Sequence, residues 1–139
     1  MAILFYSDCH KQQIKLVSRL EKNLFVSADP HLIEQVLVNI IKNAIEAIDD
    51  SQNGKRQDTI VLSLEQKTSE IQLEIIDSGC GISEEIKHQL FTPFFTTKES
   101  GQGVGLMLID EILTSHKFSY KLANNSSGKG AYFRICFQA

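Results

Sequence analysis

Between Pro30 and Asp49 the apolar residues Ile33, Leu37, Ile40, Ala44 and Ile48 return every three or four positions, which predicts a helix with one buried stripe. Asp29-Pro30 marks its start. The Asp can accept orphan amide hydrogen bonds as N-cap, and Pro suits the first helical position because its missing N–H is not needed there. The period then changes to two. "TIVLSLEQK" (Thr59 to Lys67) and "EIQLEIID" (Glu70 to Asp77) alternate and are separated by Thr68-Ser69, which predicts an antiparallel strand pair. Upstream, "QIKLVS" (Gln13 to Ser18) and "LFVSA" (Leu24 to Ala28) read as two short strands. Downstream, "VGLMLIDEILTSH" (Val104 to His116) reads as a second apolar helix. "SYKLAN" (Ser119 to Asn124) and "AYFRICFQ" (Ala131 to Gln138) read as closing strands. A short helix opens at Ser83-Glu84-Glu85, with acids in its first turn favouring the positive end of the dipole. This order implies an α+β fold: a two-layer sandwich with helices on one face of a mixed, mostly antiparallel sheet.

The 139 residues suffice for one domain with a real core. Residues 13–139 read as that domain, and residues 1–12, with the short apolar Ala2 to Tyr6, as the tail of an upstream region. A net charge of −3 with no basic run argues against nucleic acid as a partner. No apolar run approaches the ~20 residues of a membrane span. The start lacks a long apolar leader, so the expected location is cytoplasmic, any membrane anchor lying elsewhere in a longer protein. Cys9, Cys80 and Cys136 are far apart and odd in number, which points to reduced thiols rather than a disulfide frame or zinc site.

Three stretches could carry chemistry. On the Pro30 helix, Gln35, Asn39, Lys42, Asn43 and Glu46 share one face. Such a face is commonly just solvated. But Asn is a mediocre helix former, and two stacked amides in mid-helix can offer oxygens to a hard cation such as magnesium. In "DSGCGI" (Asp77 to Ile82) a carboxylate ends a strand and is followed by alternate glycines. That is either a tight turn begun by Asp-Ser, or a carboxylate for an exocyclic amine beside glycines that let a flat ring approach the backbone. Finally, "FTPFFTTKESGQG" (Phe91 to Gly103) leads into "GQGVGL", where Gly101, Gly103 and Gly105 alternate at a helix start. It is either a linker or a phosphate-binding lid, and its length and its aromatics Phe91, Phe94 and Phe95 suit a lid better.

In this order the stretches resemble the Bergerat-type ATP-binding fold shared by histidine kinases, gyrase-like ATPases, Hsp90 and mismatch-repair ATPases. "DPHLIEQVLVNIIKNAIEAI" looks like the N box, "DSGCGI" the G1 box, "FTPFFTTK" the F box with the start of the ATP lid, and "GQGVGL" the G2 box. The similarity is strongest to the catalytic and ATP-binding domain of bacterial sensor histidine kinases, and "NAIEAI" with "PFFTTK" resembles their nitrogen-regulator-like branch.

The resemblance implies Mg2+ and ATP as cofactor and substrate. Asn43 would ligate magnesium, with Asn39 supporting it. Asp77 would accept the adenine 6-amino hydrogen bond while Gly79 and Gly81 let the base lie against the backbone, with Ile82 beside it. Gly101, Gly103, Val104, Gly105 and Leu106 would shape the phosphate cradle. Thr97 and Lys98 would reach phosphates from a lid over about 91–103, and Phe94 and Phe95 would anchor it. Hydrolytic relatives carry a Glu one turn before the magnesium Asn, where this chain has Asn39. An amide is a poor general base, so the resemblance implies transfer to a partner's nucleophile rather than to water.

None of His10, His31, His88 or His116 is followed by an acid, as the family's phosphoacceptor is. All four read as surface or structural residues, and the acceptor is expected on a separate dimerisation domain. A response regulator is the expected downstream partner, with the full protein a homodimer and this piece a monomer. Glu46, Ala47 and Ala131 depart from frequent family residues. The competing readings are a nucleotide-sensing or docking module without transfer, and an anti-sigma-type serine kinase or ATPase of the same fold.

Overall fold

The computed structural model describes residues 14–51, 58–83, 105–126 and 129–138. Its elements run β1 (Ile14–Leu20), α1 (Pro30–Ser51), β2 (Asp58–Gln66), β3 (Glu70–Asp77), α2 (Gly105–Ser115), β4 (Ser119–Asn124) and β5 (Ala131–Gln138). The five strands form one sheet in the order β1-β2-β3-β5-β4. β1 runs parallel to β2 and every other neighbouring pair is antiparallel. This is the mixed α+β fold that the alternation and the helical period imply.

The period-two pattern of β3 is realised residue by residue. Ile71, Leu73, Ile75 and Asp77 point inward, while Glu70, Gln72, Glu74 and Ile76 lie on the other face. β5 repeats this with Ala131, Phe133, Ile135 and Phe137 inward. Both helices lie on that inner face, α1 presenting Val36, Ile40, Ile41, Ala44, Ile45 and Ile48 and α2 presenting Ile109, Ile112 and Leu113. Burial of this order drives the fold, at about 1.5–3 kcal/mol per large side chain.

The helix start behaves as its residues dictate. The Asp29 carboxylate accepts from the His31 and Leu32 amides at 2.9 and 3.3 Å. The buried stripe is shifted from the sequence reading: Ile33 and Leu37 are only half-buried, whereas Val36, Ile41 and Ile45 are buried. The reason is two-sided packing, since α1 contacts both the sheet and α2.

Leu24 to Ala28 is not a strand, contrary to its alternation. It is the crossover from the sheet edge to α1. Leu24 and Ala28 pack against the core while Phe25 stands 85% exposed, so the alternation reflects one packed side without a ladder. β1 also extends to Leu20, two residues beyond the expected end at Ser18. The helix expected at Ser83 to Glu85 lies outside the described residues from residue 84 onward.

One edge of the sandwich gathers the strand ends. The last residue of β3 (Asp77) pairs with Ile60 of β2, and the last residue of β4 (Asn124) pairs with the first of β5 (Ala131). The candidate chemistry lies at this edge.

Candidate functional site

Asp77 is the only buried charged side chain among the described residues. Period two puts it there: it continues the inward row Ile71, Leu73, Ile75 past the last apolar partner. Its Oδ1 accepts the Gly79 amide at 2.9 Å and the Ala131 amide at 3.3 Å. Oδ2 accepts nothing from the described residues. Burial pushes the carboxyl above its usual range, and the Gly79 and Ala131 amides partly offset that by favouring the charged form. A buried carboxylate with one oxygen saturated and one open is set to receive a donor from outside the fold.

The loop after Asp77 is pinned to three elements in turn, β2, α1 and β4. Ser78 continues the sheet: its amide donates to the Thr59 carbonyl at 3.1 Å, and its Oγ accepts from the Thr59 amide at 2.9 Å. The Ser78 hydroxyl also donates to Asp58 Oδ1 at 3.2 Å. Gly79 passes against α1, where an added Cβ would stand 2.7 Å from the backbone carbon and oxygen of Ala47. The Cys80 amide donates to that same Ala47 carbonyl at 3.2 Å. Gly81 turns the chain at φ +75°, a left-handed conformation that favours glycine. The Ile82 amide then donates to Asn124 Oδ1 at 2.6 Å, and Asn124 Nδ2 donates back to the Ile82 carbonyl at 2.8 Å. Within the fold the two glycines serve different ends, Gly79 the close packing of backbone on α1 and Gly81 the left-handed turn.

Asn39 and Asn43 lie one turn apart on α1 and both are half-buried, while Gln35 and Lys42 on the same face are exposed. Asn39 lines a cavity of about 410 Å³ with His31, Glu34, Gln35, Val38 and Leu108. The side chain of Leu108 brings α2 to the rim, so both helices border this space. The lining side chains of Asn39, Gln35 and Glu34 offer oxygens of the kind magnesium prefers, while Asn43, one turn further along α1, does not line this cavity.

Of the sequence-derived site residues, the fold places Asn39 and Asn43 on α1, Asp77 at the end of β3, Gly79, Gly81 and Ile82 in the loop after it, and Gly105 and Leu106 at the start of α2. Gly105 has open space where a Cβ would stand. Phe94, Phe95, Thr97, Lys98, Gly101, Gly103 and Val104 lie outside the described residues, as do His10 and His88. His31 is exposed, and His116 is held by Asp29 and Ile112. Cys136 is a free thiol, the exposed Cys80 donates its Sγ–H to the Gly81 carbonyl at 3.4 Å, and Cys9 lies outside the described residues.

Sequence reasoning did not single out Gly130, Asn124 or Ala47's backbone. Gly130 carried a signal, since "GKG" before a strand invites a positive φ, and it adopts +96°. Asn124 and Ala47 carried none, because their roles depend on which strand ends meet.

Comparison with known proteins sharpens this picture. The family model described as histidine kinase-, DNA gyrase B-, and HSP90-like ATPase matches residues 28–139. The signal transduction histidine-protein kinase AtoS of Escherichia coli is 36% identical over 124 residues, 88% of this chain and 19% of that protein. The sensor protein FixL of Bradyrhizobium diazoefficiens is 39% identical over 134 residues, 96% of this chain and 26% of that protein. The chain thus spans about a fifth to a quarter of these relatives. Among solved structures, the nucleotide-free catalytic domain of histidine kinase ThkA superposes with a TM-score of 0.82 at 30% identity, covering 98% of this chain and 86% of that one.

Proposed function

We propose that this chain, which belongs to the histidine kinase-, DNA gyrase B- and HSP90-like ATPases and within them to the domain found in bacterial sensor histidine kinases, binds Mg-ATP and passes its γ-phosphoryl group to a histidine on a separate dimerisation domain. The observation that carries this reading is Asp77: a buried carboxylate whose Oδ1 is saturated by two amides and whose Oδ2 faces no donor among the described residues.

Each residue has a task. Asp77 Oδ2 accepts the adenine 6-amino hydrogen bond and thereby selects against guanine, whose carbonyl at that position would oppose it. Leaving such a buried group unpaired costs roughly 1–3 kcal/mol. Gly79 and Gly81 keep side chains away from the base, and Ile82 closes the loop. Asn43, supported by Asn39, holds magnesium through amide oxygen. Magnesium, when bound, supplies positive charge to the phosphates. Lys98 and Thr97 contact phosphate from the lid, Phe94 anchors it, and Gly101, Gly103, Val104, Gly105 and Leu106 form the cradle.

Transfer breaks the bond between the γ-phosphorus and the bridging oxygen, which leaves with ADP, and forms one to the partner's imidazole nitrogen. That chemistry rests on positioning and charge neutralisation. Asn39 stands where a water-activating carboxylate would serve hydrolysis, so water is not activated and the phosphoryl group waits for the histidine. This chain is then the cytoplasmic kinase module of a longer protein that works as a homodimer and serves a response regulator.

Calorimetric titration of ATP with and without magnesium tests the reading, on this chain and on Asp77→Asn. Wild-type binding with a loss of an order of magnitude or more in the variant is the expected result. Absence of wild-type binding overturns it. Incubation with the matching dimerisation domain and labelled ATP then tests transfer, and a competent acceptor left unlabelled removes the kinase assignment.

A further inference from the structure

We infer that Asn124 is a positioning residue for nucleotide binding: its side-chain amide clamps the exit of the 77–82 loop and holds that loop in the conformation that receives the base. The inference rests on the reading of Asp77 as the adenine acceptor.

Three observations carry it. First, Asn124 bonds both backbone polar groups of Ile82, accepting its amide at 2.6 Å and donating to its carbonyl at 2.8 Å. A side-chain amide here does what a paired strand would do, for a residue that belongs to no strand. Second, the clamp shares a ladder rung with the carboxylate anchor. Asn124 lies opposite Ala131, and the Ala131 amide donates to Asp77 Oδ1. One rung of the β4–β5 hairpin therefore holds both ends of the loop, Asp77 through β5 and Ile82 through β4. The Asn125 amide, donating to the Gly130 carbonyl at 2.9 Å, closes that rung on the turn side. Third, Gly81 packs against the clamp. A Cβ on Gly81 would meet Asn124 Oδ1 at 2.9 Å, so the turn at φ +75° and the amide fit each other.

At the entry the loop is held several times over: the Ser78 and Cys80 amides donate to the backbone carbonyls of Thr59 and Ala47, and the Ser78 hydroxyl and Asp77 carboxylate add side-chain bonds to Thr59, Asp58 and Gly79. At the exit, the holding group is a side chain, so identity at position 124 decides whether the clamp exists. Without it the loop samples conformations in which Gly81 and Ile82 drift from the base site, and the apparent dissociation constant rises by the inverse of the competent fraction.

The test uses two variants and two readouts. Asn124→Ala removes both bonds. Asn124→Asp keeps an acceptor for the Ile82 amide but sets a carboxylate oxygen against the Ile82 carbonyl. Amide hydrogen exchange in the nucleotide-free chain reads the clamp itself: Ile82 is protected in wild type, unprotected in Asn124→Ala, and protected in Asn124→Asp. Calorimetry with Mg-ADP and Mg-ATP reads the consequence. Both variants weaken binding about tenfold, the size of one to two lost hydrogen bonds. The factor is the same for the two nucleotides, because the loop serves the base they share. Melting temperature is followed alongside, and Asn124→Asp, nearly isosteric, keeps the test open if the alanine variant folds poorly.

An unprotected Ile82 amide in wild type overturns the clamp. Protection that is lost in Asn124→Ala with unchanged nucleotide affinity overturns the positioning role and leaves the function reading intact. A wild type that binds no nucleotide, or Asp77→Asn binding as well as wild type, removes the function reading and this inference together.

Discussion

Gly130 lies so close to the end of β3 that a Cβ on it would stand 1.9 Å from the carbonyl oxygen of Asp77. The contact is with backbone, which no rotamer can relieve, and Gly130 has φ +96° besides. The next residue, Ala131, donates its amide to the Asp77 carboxylate. Glycine at 130 is therefore what lets β5 begin close enough to hold that carboxylate.

Gly130→Ala is accordingly expected to cost about 3 kcal/mol or more, from backbone strain and overpacking together. The start of β5 would have to move away from Asp77 and loosen the Ala131 bond to its carboxylate, so nucleotide affinity falls with stability. Urea unfolding checks the first, and calorimetry at a temperature where the variant stays folded checks the second. A variant as stable as wild type would mean that the hairpin turn relaxes freely.

The sheet was largely legible before folding because each strand states its own inward face. β3 alternates without error from Glu70 to Asp77, and even the buried charge at its end keeps the phase. α1 was legible for a local reason too, since Asp29 and Pro30 cap it in sequence. Leu24 to Ala28 misled because a crossover packed on one side alternates as a strand does. The loop residues of the site announced themselves by type: Asp77, Gly79 and Gly81 have few other reasons to occur together. Asn124 did not, because 42 residues separate it from Ile82 and only the pairing of β4 with β5 and of β5 with β3 brings them together.

Asp77→Asn should leave the empty fold as stable as wild type at neutral pH or a few degrees more so, while it abolishes most nucleotide binding. Asn Oδ1 still accepts the Gly79 and Ala131 amides, and the buried charge is gone. The sign follows from the raised carboxyl. With its folded value above its unfolded one, Asp77 binds its proton more tightly in the folded state. Its contribution to stability is then fullest below the ordinary carboxylate range and declines as pH rises through the raised value. Thermal melts from pH 3 to 8 should show the variant gaining on wild type across that window. Equal profiles for the two would show that burial places no strain on the charge. The binding loss has a separate cause, since Asn Nδ2 would point a donor at the adenine amine.

His116 joins the two helices, and its tautomer can be assigned from its partners. The Asp29 amide donates to Nε2 at 3.1 Å, so Nε2 carries no proton. Nδ1 must then donate to the Ile112 carbonyl 2.8 Å away. The ring also stacks on Phe118 with centroids 5.5 Å apart. Nitrogen-15 shifts of the neutral imidazole should report the Nδ1–H tautomer. His116→Ala should cost about 1–2 kcal/mol, for two net hydrogen bonds. A predominantly Nε2–H ring would remove the bond to Asp29, and with it the link between the start of α1 and the end of α2.

Tyr120 offers a final check on how α2 is fastened to the sheet. Its hydroxyl donates to the Asp110 carboxylate, which also accepts from Thr114 Oγ1 at 3.5 Å. Burial raises the phenol above its ordinary value, and the bond to Asp110 and that group's negative charge raise it further. The folded state thus holds the phenol proton more tightly than the unfolded chain does. The stabilisation is fully present below the ordinary phenol value of about 10 and is lost as pH rises through the raised one. Tyr120→Phe should cost about 1 kcal/mol at neutral pH. The ring itself, stacked on Phe133 at 5.5 Å, is retained, so the loss reports the hydroxyl alone. Urea unfolding of both chains at pH 7 and at pH 11 checks it. The gap should narrow at the higher pH, because wild type has begun to lose what the variant never had. A gap that stays constant would place the stabilisation in the ring packing instead of in the bond to Asp110.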